Sequence, residues 1–370
     1  MSKFLDPLDP EGSPLHKLIA RRTNKRLQIG RELPGLLQAE GLDAETSEAI
    51  SRAFSRVADR EDREMGRVVN EIEEWANIHT HDVGLVMMAC GGNGLILRTK
   101  DTVTWDEHSS FTTQALWGLA KGQGRWVAVG QGPVIGWSDD EGITWQGVSS
   151  VPGGNLRHVT YSSELGIWCA VGFQATILTS SDGESWTQRS APSSYTAALN
   201  HVAWGGGLFL ASGPDGVIYS SDGTSWSHAS ENFDDSTVGI VEYMDGWWIA
   251  GSGTGIWSTQ DPSGTWVQRE SNLEGQLWSV ESHGGTWVVG GTNETIMYSQ
   301  DPDAENWTPA TMPSVDNGDW MASGIAYAGR WIAVGPNWAW SAGPIISSNT
   351  GMTWQNVTEA SEVLHAVEAA

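Results

Sequence analysis

Ser180-Ser181-Asp182-Gly183-Glu184-Ser185-Trp186 returns one repeat later as Ser220-Ser221-Asp222-Gly223-Thr224-Ser225-Trp226. Upstream it has a longer form, Ser138-Asp139-Asp140-Glu141-Gly142-Ile143-Thr144-Trp145. Looser copies end at Trp105, Trp266, Trp307 and Trp354, so the seven tryptophans lie 40, 41, 40, 40, 41 and 47 residues apart. A period near forty marks a chain built from stacked supersecondary units, as in propellers and solenoids.

Working outward from the turn, each unit reads as four short strands. The first is Leu156–Tyr161, Leu199–Trp204 or Leu277–Val280; the second is Trp168–Gly172, Trp248–Gly251 or Trp287–Gly290. The third, such as Ile177–Ser180 or Val217–Ser220, runs into the turn, and a short fourth follows the tryptophan. β-Branched and aromatic runs bounded by Gly, Asn, Asp and Ser are antiparallel hairpin material. Seven such units predict a mainly β chain: a seven-bladed β-propeller of four-stranded antiparallel blades over residues 81–370. The first unit lacks its first strand, and Leu364-His365-Ala366-Val367-Glu368-Ala369 repeats the pattern of Leu277-Trp278-Ser279-Val280-Glu281-Ser282. The C-terminal strand is therefore expected to become the innermost strand of blade one and close the ring.

The turn resembles the Asp-box, the repeat of bacterial neuraminidases with pattern Ser-x-Asp-x-Gly-x-Thr-Trp. Residues 138–145 match it fully, and residues 347–354 match except for Asn349. The resemblance covers about residues 83–370. It implies that Asp140, Asp182 and Asp222 cap their turns, that Trp145, Trp186 and Trp226 pack between strands, and that neither set is catalytic.

Residues 1–80 are a different kind of chain. Ser13-Pro14 and Asp43 are helix N-terminus signals. From Ile50 through Phe54, Val57, Met65, Val68 and Ile72 to Trp75 runs an apolar stripe at helical spacing, interrupted by Asp59-Arg60-Glu61-Asp62-Arg63-Glu64. A long helix with so thin a stripe suits pairing with a partner, so this α-helical segment is expected to anchor the chain in an oligomeric assembly.

The net charge is −25, of which residues 1–80 contribute −3 and the remainder −22. So acidic a body repels nucleic acid and anionic membrane. No apolar run reaches membrane-spanning length, which predicts no membrane insertion and no secretion signal. Cys90 and Cys169 lie a whole repeat apart and are expected to be free, buried thiols.

The residues carry no enzymatic signature. The resemblance to sialidases implies three clustered arginines and a Tyr–Glu nucleophile, but only Arg98, Arg125, Arg157, Arg189, Arg269 and Arg330 follow residue 80. His158 and His201 occupy equivalent positions and are read as packing. His79-Thr80-His81 could gather a metal only across a symmetric oligomer, and no cofactor is predicted. The repeat breaks in blade seven, where Asp316, Asp319 and Trp320 precede the first strand and Trp338 and Trp340 interrupt a later connection. Tryptophans beside carboxylates make these five residues the ligand-binding candidates, with stacking on a neutral glycan as the chemistry.

An acidic propeller carried on a helical arm resembles the propeller proteins of tailed-bacteriophage virions. That resemblance implies a non-enzymatic structural or attachment protein, located in the virion or otherwise in the cytoplasm. Residues 1–80 would meet other virion proteins, and the propeller a neighbour or a host-surface glycan or protein. The alternatives are a sialidase-related hydrolase and an intracellular assembly factor similar to the photosystem II stability propellers.

Overall fold

The computed structural model describes residues 86–369, apart from 230–232, 234–236, 254, 271–274, 302, 314–319 and 337–342. The segment 1–80, where helices are expected, lies outside the described residues, and so does His81 beside His79. The described residues belong to one compact unit, Leu85–Ala370, containing seven four-stranded antiparallel sheets. The chain is a seven-bladed β-propeller.

Blade three shows the unit: Leu156–Ser162 innermost, then Ile167–Gly172, Ile177–Ser180 and Thr187–Arg189 at the rim. Second strands are apolar without alternation because a blade covers each of their faces. Residues 168–172 are buried throughout, whereas the rim strand is mostly exposed. One position there is a large core side chain in every blade: Met87, Trp126, Trp168, Phe209, Trp248, Trp287 and Trp331, none more than 2% exposed. Each pairs across the sheet with the hydroxyl residue that opens the turn, as in Trp126↔Ser138 and Trp168↔Ser180.

That hydroxyl builds the turn. Ser180 Oγ accepts the Gly183 N–H at 2.8 Å, Asp182 Oδ1 accepts the N–H groups of Glu184 and Ser185 at 2.8 and 2.7 Å, and Trp186 Nε1 donates to Gly183 O at 3.0 Å. The same set recurs at Ser220, Asp222 and Trp226. Gly183 needs its φ of +75°, which a β-carbon would strain. A β-carbon there would also meet Arg125 Cδ of the preceding blade at 3.1 Å. The turn is thus a contact between blades as well as a cap within one.

Arginines reinforce that seam. Arg125 of blade two pairs with Asp139 at 2.6 Å and with Glu184 of blade three at 2.8 Å, and its guanidinium also donates to the Asp182 carbonyl. Arg98 reaches Glu141 of blade two at 3.1 Å, and Arg269 of blade five reaches Asp303 at 3.1 Å.

Leu364–Ala369 lies innermost in blade one, paired Met87↔Ala369, Met88↔Glu368 and Ala89↔Val367. Leu364 and Val367 sit in one apolar cluster with Met87 and Ala89 of blade one and Ala326, Ile332 and Val334 of blade seven. The closure expected from the tail is the closure observed. Cys90 and Cys169 are free and buried, and burial pushes both thiols up.

Candidate functional site

Innermost strands run side by side around the ring axis, so residues two apart on each strand face the same way. In most blades a register shift at the strand start sets which residues face the axis. The result is a cavity of about 780 Å³ lined by these strands and by the connections that precede them or join the second and third strands.

At the end where the strands begin, the mouth is aromatic. Trp117 packs against Phe173 with ring centroids 6.1 Å apart, and the Arg157 guanidinium lies 4.6 Å over the same Phe173 ring. Arg157 also donates to Asn200 Oδ1 at 2.9 Å, which holds the fork across blades three and four. Burial lowers the Arg157 pKa. Trp278 lines the mouth from blade six, and its indole N–H has no hydrogen-bond partner among the described residues.

Further along the strands are two imidazoles. His158 and His201 stack 3.7 Å apart, and His158 Nδ1 meets the Val202 carbonyl at 3.1 Å. Burial is the main cause that pushes His158 down to about 4 and His201 well below the usual histidine range, so both are neutral. This is the packing role expected for the pair.

Two residues on, about 7 Å deeper at 3.3 Å per residue, are three carboxylates. Glu242, Glu281 and Glu368 lie opposite Ile249, Val288 and Met88, in each case the residue after the large core side chain of the second strand. They are register equivalents in blades five, six and one. Among the described residues Glu242 and Glu281 each accept the next residue's backbone N–H, at 2.9 and 2.8 Å. Among the described residues no lysine or arginine pairs with any of the three. Burial raises Glu242 to about 8 and Glu281 to about 7, and Glu281 adds its charge to the upward push on Glu242. Glu368 is raised well above the carboxylate range by burial and by both other glutamates.

These shifts have a sign. A glutamate ionises near 4.5 in the unfolded chain, whereas the folded ring keeps these protons to higher pH. Folding stability from this site is therefore greatest below about pH 4.5 and falls as pH rises through 7 to 8. The thermal midpoint is expected to be on the order of 5 °C lower at pH 8.5 than at pH 5.5. Glu242→Gln, Glu281→Gln and Glu368→Gln together should remove that difference in a calorimetric scan.

Of the five sequence candidates, the described residues include one, Trp320. Asp316, Asp319, Trp338 and Trp340 lie outside the described residues. Trp320 is 2% exposed, packs with Val288, Ile325 and Trp354, and donates its N–H to Gly335 O at 3.1 Å. With both ring faces sealed it cannot stack on a sugar, which corrects its placement among the ligand-binding residues. The carboxylate ring escaped the sequence reading, although Val241-Glu242, Val280-Glu281 and Val367-Glu368 signal it at equivalent positions.

No protein-family model matches the chain, and no curated protein sequence matches it. Its likeness is to solved structures. "YCF48 bound to D1 peptide" superposes with a TM-score of 0.52 at 13% identity, over 66% of this chain and 84% of that one. The WD40 β-propeller domain of Doa1 superposes with a TM-score of 0.52 at 14% identity, over the same 66% and 84%. At such identities the likeness is one of fold.

Proposed function

We propose that this chain is a non-enzymatic binding protein whose propeller receives a segment of a protein partner at the aromatic mouth of its central cavity. The observation that carries the reading is the set Trp117, Arg157, Phe173 and Trp278 around a cavity of about 780 Å³. Tryptophan and arginine in a concave, partly desolvated setting are the side chains that dominate binding energy in protein interfaces. Of the six arginines after residue 80, only Arg157 lines this cavity among the described residues, while Arg98, Arg125 and Arg269 serve the seams between blades. That leaves no arginine cluster for a sugar carboxylate and favours binding over glycoside hydrolysis.

The wider setting follows from the sequence. The helical arm expected over residues 1–80 and the acidic propeller favour a structural or attachment role in a virion, with residues 1–80 docked to other particle proteins and the ring offered to a neighbour or to a host-surface glycan or protein. A second reading has one observation in its favour. YCF48, solved bound to D1 peptide, shares this fold, which is equally compatible with an assembly factor acting on a client chain.

The test compares retention on whole cells, on particle-derived proteins and on a glycan panel. Trp117→Ala with Trp278→Ala is expected to reduce retention at least about tenfold. Leu165→Ala, 42% exposed in the hairpin at the opposite ring end, should leave it unchanged. Sugar released from the panel would point to a hydrolase instead, and equal retention by both variants would move binding away from the mouth.

A further inference from the structure

We propose that Arg157 sets the specificity of the mouth by pairing with a carboxylate of the bound protein segment, while Trp117 and Phe173 hold an apolar group beside it. This deepens the binding reading above and rests on it.

The mouth is built by one irregularity repeated around the ring. Where the inner strand of blade two begins, Leu116 pairs with Gly130 and Gly118 with Val129, so Trp117 is an extra residue in the ladder. Arg157, Gly239, Trp278 and His365 are passed over in the same way in blades three, five, six and one. Such a bulge sets two residues opposite one and re-aims a side chain. All five of these residues line the cavity.

The positions around the bulges keep the repeat. The residue before each is Leu or Val and buried, and so is the second residue after it, as in Leu156 and Val159 or Leu277 and Val280. The bulged residues themselves share nothing: two indoles, a guanidinium, an imidazole and a glycine. Gly239 is bare because a β-carbon there would collide with the Leu277 carbonyl. A frame that repeats thus carries a presented position that does not, and selectivity belongs to the presented position.

Charge decides what that position selects. Among the five, Arg157 is the cation, since burial pushes His365 down to about 4 and leaves it neutral. The Arg157 guanidinium lies 4.6 Å over the Phe173 ring and gives an N–H to Asn200 Oδ1 at 2.9 Å. Both partners line the cavity, so the fork is held in the mouth with its remaining donors unpaired among the described residues. The chain has 45 acidic residues against 20 basic ones. Yet among the described residues no carboxylate pairs with Arg157, whereas Arg98, Arg125 and Arg269 each hold one. Burial lowers the Arg157 pKa without the carboxylates that raise that of Arg125. The deeper glutamates do not fill the role, because Arg157 is not among the charges acting on them.

A partly desolvated guanidinium without a counter-ion is costly, and a planar carboxylate accepting two parallel N–H bonds offsets that cost. The Trp117 and Phe173 rings, 6.1 Å apart, extend the surface away from the guanidinium as apolar area. The segment that fits carries a carboxylate next to an aromatic or aliphatic side chain.

The experiment is calorimetric titration of the full chain with inorganic phosphate and three acetylated peptides. The first peptide is Ala-Phe-Glu-Phe-Ala with an amidated end, the second its glutamine counterpart, and the third the glutamine peptide with a free terminal carboxylate. At least one carboxylate peptide is expected to bind about tenfold more tightly than the glutamine amide. A lead for the glutamate peptide assigns the carboxylate to an acidic side chain, and a lead for the free terminus assigns it to a chain end; both uphold the pairing. Arg157→Gln should abolish the preference. Arg157→Lys, which keeps the charge but not the fork, should weaken it even if Arg157→Gln folds poorly. Equal binding of the three peptides, binding of none at millimolar concentration, a preference that survives Arg157→Gln, or phosphate binding more tightly than any peptide would overturn the proposal. Absence of a preference, with retention still sensitive to Trp117 and Trp278, removes this inference alone. Retention indifferent to those tryptophans removes the mouth reading as well.

Discussion

Deletion of residues 362–370 is expected to abolish cooperative folding of the propeller rather than merely lower its midpoint. The deleted strand hydrogen-bonds along Met87–Gly91, buries Leu364 at 1% and Val367 at 4% exposure, and packs into the apolar cluster shared with blade seven. Two such side chains account for roughly 3 to 5 kcal/mol of lost burial. The larger effect is topological, because the inner edge of blade one is left unpaired and the contact between the first and last blades disappears. The net stability of a domain is about 5 to 15 kcal/mol, so a loss on this scale reaches the whole of it. Far-UV circular dichroism through a thermal ramp reads the outcome, and a synthetic peptide of residues 362–370 added in trans should restore the transition. An unchanged midpoint in the deletion would mean that the tail does not close the ring.

The second large effect separates two kinds of tryptophan. Trp168→Ala removes a side chain that is 1% exposed and tilts against Tyr161 at 4.8 Å between centroids. Its loss leaves a cavity at a seam where blades cannot collapse independently, at a cost of about 3 to 5 kcal/mol. Trp186→Ala, at the turn of the same blade, removes a half-buried ring and one hydrogen bond to Gly183 O. The expected cost there is about 1 to 2 kcal/mol. Urea unfolding of both variants measures the contrast; equal costs would mean that the turn indole is as much a core residue as the strand indole.

That contrast also shows what could be read from the residues alone. The period of the turns was enough for blade number, and the match of Leu364–Ala369 to an inner strand for ring closure; the turns at 180–186 and 220–226 repeat one capping geometry through Ser180, Asp182 and Gly183 and their equivalents. The eye is drawn to the turn tryptophans, yet the most deeply buried ones are on the second strands at 126, 168, 248 and 287. Burial depends on blade-to-blade packing, which local pattern does not report. The site was harder still. Glu242, Glu281 and Glu368 are three of 45 acidic residues, and only superposing the innermost strands brings them to one level. Trp320 misled for the converse reason, since an isolated tryptophan beside Asp319 in a broken repeat reads as exposed until Gly335 O is found at its N–H.

The shared blade has a consequence in time. Its second, third and outer strands are synthesised first of the seven units, and its innermost strand, Leu364–Ala369, is synthesised last of all. Domains fold as they emerge, at roughly 5 to 20 residues per second, so blade one waits with Met87–Gly91 uncovered while the other six blades are made. A ribosome stalled between the first blade and residue 364 therefore carries an open arc with an adhesive edge, and emergence of Leu364–Ala369 is itself the step that makes the ring safe.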